Sequence, residues 1–134
     1  MNGLSKAYKL SFFGLVALAG TFVLGLLRAL ADDGKIDAQM STPLLIMHIA
    51  FALVTGLLSL YLFHLSRKTG LIFPEALATA NLSAVTLAGT SGLLFLFFRA
   101  QFLSYLMLSS FEVSFGLSSV LIGYLYSFFR NCYR

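Results

Sequence analysis

The sequence predicts an all-α integral membrane protein, an up-and-down four-helix bundle with both termini on the cytoplasmic side. Three observations carry that prediction. Of the 134 residues, 59% are hydrophobic and only 10% charged, where a soluble domain carries about one quarter charged. Four continuous apolar stretches follow one another, at 10–31, 44–65, 76–98 and 102–129, each near the ~20 residues that cross about 30 Å of hydrocarbon. The connections at 67–75 and 99–101 are short, which makes sequential helices antiparallel neighbours. A β-barrel is excluded, because its strands alternate apolar and polar residues instead of running apolar throughout.

The first stretch follows Lys6 and Lys9 and ends in Ala29-Leu30-Ala31 before Asp32, which has the outline of a signal peptide. Its apolar core is longer than the roughly 7 to 15 residues of a signal core, so it is expected to remain as a first span. Orientation follows from the cations. Lys6, Lys9, Arg67, Lys68, Arg130 and Arg134 fall on one side of a four-span layout, and Arg28, Lys35 and Arg99 on the other. The richer side is cytoplasmic, which places Asp32, Asp33 and Asp37 outside. The net charge of +4 is then a topological bias and not a nucleic-acid surface. Cys132 is the only cysteine, so one chain can form neither a disulfide nor a cysteine metal site. No soluble catalytic domain fits in such loops. Phosphate-binding glycine loops, Ser/His/Asp sets and metal-ligand spacings are absent from the sequence.

In lipid, helices associate where small residues let backbones approach. Gly14, Ala17, Thr21, Gly25 and Arg28 form such a seam on the first span. His48, Ala52, Thr55, Gly56 and Ser59 repeat it on the second, and Ser109, Glu112, Gly116, Ser119 and Gly123 on the fourth. The third is more diffuse: Thr79, Ser83, Thr86 and Thr90 make one stripe, with Asn81, Gly89 and Gly92 elsewhere on its circumference. Arg28, His48 and Glu112 each stand on the seam of their own helix, in the outer half of the membrane. They are expected to face the bundle or a partner as one intramembrane polar cluster.

Glu112 is a functional hypothesis by default, with His48 and Arg28 as its expected partners and Arg99 as an alternative at the mouth, since a carboxylate at that depth is costly without a partner. It is read as a structural hydrogen-bonding group, with a proton or ion role and contact with a cofactor as alternatives. His48 is the candidate haem or metal ligand, against the plainer reading of a hydrogen-bonded seam residue. His64 lies sixteen residues on, about 24 Å along the helix and about 160° around it, so the two cannot share a metal. Beside Ser66, Arg67 and Lys68, His64 reads as a boundary residue. The fourteen Phe and six Tyr read mainly as interfacial belts.

One resemblance follows from these residues. A first span ending in Gly25-Leu26-Leu27-Arg28, an outward polar loop, and a second span opening with Met47-His48-Ile49-Ala50-Phe51 resemble one four-helix half of the haem A synthase family. The likeness covers about a third of the chain, 20–66. It implies that His48 corresponds to a haem-ligating histidine. The family's second ligand, early in the fourth helix, has no counterpart: Phe111 or Glu112 stands there. The loop holds Asp32, Asp33 and Asp37 but no glutamate and no cysteine pair.

Three classes of function follow. The first, which small size and tiny loops favour, is a non-catalytic integral subunit of a larger membrane complex, of the respiratory, cytochrome oxidase kind. Its partners are lipid and other membrane subunits, its location the plasma membrane or an inner organelle membrane, and no catalytic residue is assigned to it. The second is a haem-binding membrane protein related to haem A synthase and using His48. The third is a small proton-coupled transporter using Glu112.

Overall fold

A computed structural model describes residues 2–132. Arg134 lies outside them, and so does the side chain of Cys132. The described residues form four helices, α1 (Asn2–Asp32), α2 (Ser41–Arg67), α3 (Ile72–Phe98) and α4 (Gln101–Cys132), and one 3-10 turn at Ala38–Met40. All four are long and apolar enough to cross a membrane. They extend beyond the apolar stretches, most of all α1 and α4 at 31 and 32 residues, about 46 and 48 Å at 1.5 Å per residue.

The helix boundaries have local causes. Pro43 and Pro74 are each the third residue of a helix, α2 and α3, where a backbone N–H has no partner within the helix and its loss costs nothing. Gly34 and Gly70 take positive φ, 71° and 68°, in the two polar turns. The α3–α4 turn has no glycine. Arg99 takes the left-handed conformation at φ 48° and its N–H closes on the Phe95 carbonyl at 2.9 Å.

The helices form a ring in chain order. α1 packs most closely on α2 and α3 on α4, and α2 against α3 and α1 against α4 complete the ring, while among the described residues the backbones of the diagonal pairs stay farther apart. Residue pairs confirm the antiparallel sense: Thr21 meets Thr55, Gly92 lies against Met107, and Phe22 stacks on Phe111 with ring centroids 5.0 Å apart. The start of α1 and the end of α4 therefore lie at the end of the bundle that holds the α2–α3 turn.

The interior is polar along part of its length and apolar at one end. Around the chain termini, Ala7, Leu62, Leu65, Ala78, Leu121 and Leu125 form a closed apolar cluster. Farther along the axis buried hydroxyls and an amide, among them Thr55, Ser59, Asn81, Ser114 and Ser118, are interspersed with Ala17, Leu18 and Ala84. The seams expected on α1 and α2 do face inward. On α4 the expectation is corrected: Ser110, Ser114, Ser118, Leu121 and Leu125 are buried, and Ser109, Glu112, Gly116, Ser119 and Gly123 are exposed. Serine occurs at both 109/110 and 118/119, so α4 carries two polar stripes on opposite faces. The stripe with four-residue steps that runs into the leucine cluster is the one that packs. The threonine stripe of α3 also faces outward, each of its hydroxyls bonded to the carbonyl four residues before it.

Candidate functional site

At the loop end, Arg28 lies on the inner face of α1 and its Nε sits 3.3 Å from Asp32. Asp32 also accepts the Ser41 hydroxyl, which ties the end of α1 to the start of α2. Asp32 stands beyond the apolar stretch of α1. There the Ser41 hydroxyl, opposed by slight burial and aided by the charge of Arg28, holds its carboxyl below the ordinary carboxylate range.

One turn deeper, His48 is half-buried and its Nδ1 lies 2.8 Å from the backbone oxygen of Thr21. A carbonyl only accepts, so Nδ1 carries the hydrogen. In the neutral ring this leaves Nε2 as a lone-pair donor, the arrangement by which backbone carbonyls orient metal-ligating histidines. The imidazole lies against Gly25, where a Cβ would come 2.9 Å from its Cε1.

Below it, the Thr21 and Thr55 hydroxyls meet at 3.2 Å. Deeper still stands Asn81, 4% exposed. Its Oδ1 accepts from Ser114 at 2.6 Å and from Ser118 at 3.2 Å, and its Nδ2 is 3.5 Å from Ser59. This amide links α2, α3 and α4. It is the polar centre that sequence reasoning missed. The signal was present: Asn81 is the one amide inside any of the four apolar stretches, and such a group must find partners in a neighbouring helix.

Among the described residues no hydrogen bond or ion pair joins the three residues expected to cluster. Arg28 is bonded to Asp32 and His48 to Thr21, and Glu112 makes no hydrogen bond or ion pair among the described residues. Glu112 is exposed on the outer face of α4, and its neighbour Phe111 is the residue that packs on α1. His64 is exposed, near the α2–α3 turn. Among the described residues no three His, Cys, Asp or Glu side chains gather as a metal site.

The arrangement is a bundle of four helices, each long and apolar enough to cross a membrane, with buried hydroxyls and an amide inside and a carboxylate on the outside. No protein-family model, no curated protein and no solved structure matches the chain.

Proposed function

We propose that the chain is a small, non-catalytic integral membrane subunit that docks through the outer face of α4 onto a larger membrane assembly. The observation that carries this reading is the position of Glu112. It is exposed about 16 Å from the start of α4, between Ser109 and Gly116 on one face. A carboxyl at that depth is expensive against acyl chains and is ordinarily matched by another protein group. Ser109, Gly116, Ser119 and Gly123 flank it at alternating steps of three and four. That spacing suits a partner helix crossing at about 20° in the left-handed sense. The partner would bring a basic or hydrogen-bonding side chain to the level of Glu112. The basic residues favour cytoplasmic termini, and the haem A synthase resemblance favours a respiratory assembly.

The test is purification in mild detergent from native membranes. Fixed stoichiometry with larger integral subunits, lost in Glu112→Leu and in Gly116→Leu, supports the proposal. A chain that purifies alone as a monomer overturns it, and a dimer of the chain alone replaces the foreign subunit by a second copy.

A second reading rests on His48. With Nδ1 committed to Thr21, its Nε2 is the atom that would hold a haem, which would supply redox or oxygen chemistry. No histidine stands on α4 to hold it from the other side of the bundle. A Soret band that disappears in His48→Ala supports this reading, and a colourless preparation from haem-replete cells rejects it.

A further inference from the structure

We infer that the centre of the bundle is a binding site for one water molecule, held by Asn81 and Ser59 and reaching Ser11 and Thr55. The reasoning is an inventory of donors and acceptors. The two lone pairs of Asn81 Oδ1 are taken by the Ser114 and Ser118 hydroxyls. The two hydrogens on Nδ2 are less well placed. One is directed to Ser59 Oγ at 3.5 Å, the outer limit of a hydrogen bond, and the other has no acceptor among the described residues. The hydroxyl proton of Ser59 has none either. Asn81 is 4% exposed and Ser59 6%, so these donors are cut off from bulk solvent.

Beside them lies a void of about 10 Å³, lined by Ser11, Gly14, Thr55, Ser59 and Asn81 among others. That is about the space one water needs, and a buried water is stable where two to four polar groups converge on it. A water here accepts from Asn81 Nδ2 and Ser59 Oγ and donates to the oxygens of Ser11 and Thr55. It thereby joins α1, α2 and α3 directly, and α4 through Asn81. Leaving buried donors unmade is less favourable than immobilising one water. The chemistry selects a neutral ligand that accepts hydrogen bonds, because the amide offers hydrogens here and its oxygen is already saturated. The site is independent of whether α4 docks on a partner.

The test is solid-state NMR of the full chain in lipid bilayers with ¹⁵N-labelled asparagine side chains. The chain has only two other asparagines, Asn2 and Asn131, so the Asn81 amide is readily assigned. Magnetisation transfer from water protons to the Asn81 amide is expected. In Ser59→Ala the transfer is expected to fall several-fold, while in Thr90→Ala, on the outer face of α3, it is unchanged. A resolved Asn81 amide that receives magnetisation from acyl chains and none from water overturns the inference, as does full transfer in Ser59→Ala. Should Ser59→Ala not fold, the measurement on the unaltered chain decides alone.

Discussion

His48 donates from Nδ1 to the Thr21 carbonyl at 2.8 Å, and the ring reaches that oxygen because residue 25, one turn along α1, has no side chain. A Cβ on Gly25 would lie 2.9 Å from His48 Cε1 and 3.1 Å from Nδ1, so Gly25→Ala must displace the imidazole and break its bond. Overpacking a filled site costs about 1 to 3 kcal/mol, less about 0.5 to 1 kcal/mol regained by removing a mid-helix glycine, so a net loss of up to about 2 kcal/mol is expected. Gly89→Ala, on the exposed side of α3, is the control. No heavy atom lies within 4 Å of a Cβ there, and removing a mid-helix glycine is expected to stabilise by about 0.5 to 1 kcal/mol. Reversible unfolding in mixed micelles measures both. A Gly25→Ala protein as stable as Gly89→Ala would mean that His48 is not seated on Gly25.

Asn81 and Ser114, joined at 2.6 Å, are expected to be coupled energetically. A double-mutant cycle through Asn81→Ala and Ser114→Ala isolates the pair from the cavity that Asn81→Ala also leaves. Interhelical hydrogen bonds in membranes average about 0.6 kcal/mol and reach about 1.7. The upper half of that range is expected here, because Asn81 is almost wholly enclosed and Ser114 is 1% exposed. A coupling energy of zero would remove Asn81 as the polar centre of the bundle.

The helix count, the helix order and the inner faces of α1 and α2 were legible in the sequence, because hydrophobic length and short turns act locally along the chain. The inner face of α4 was not. Composition cannot choose between two polar stripes on one helix. The choice depends on which stripe meets a partner in α3, and Asn81 settles it by bonding Ser114 and Ser118. The same competition explains the fate of Glu112. Once the serines turn inward, a residue about 160° around the helix from Ser114 must turn outward. Arg28 and His48 stand on inner faces as their seams suggested, yet each is satisfied close by, at Asp32 and at Thr21, through contacts set by the turn after α1 and by Gly25.

Arg99 predicts a stabilising substitution. It closes α3 in the left-handed conformation, φ 48°, where a Cβ crowds the following carbonyl and glycine is the residue without penalty. Arg99→Gly is expected to raise stability by about 1 kcal/mol. Arg99→Lys, which keeps both the charge and the Cβ, is expected to change it little. Comparing the two by thermal unfolding separates the backbone effect from the loss of a cation. A loss in Arg99→Gly that Arg99→Lys does not share would show that the charge outweighs the conformation.

Leucine truncations distinguish packing between helices from burial away from water. Leu125 is fully enclosed in the apolar cluster at the terminal end, and Leu57 is 67% exposed on the outside of α2. In a bilayer the transfer contribution to either change is small, because acyl chains are as apolar as leucine. What remains is the dispersion attraction between closely packed side chains. Leu125→Ala opens a space among Ala7, Leu62, Leu65 and Leu121 that those neighbours fill only in part, and is expected to cost about 2 kcal/mol, the low end for truncating a core leucine. Lipid closes around the shortened side chain in Leu57→Ala, so its cost in bilayers is expected to be near zero. Unfolding of both variants in the same lipid tests the pair. Equal losses would contradict an apolar cluster packed at one end of the bundle and a lipid-facing outer surface on α2.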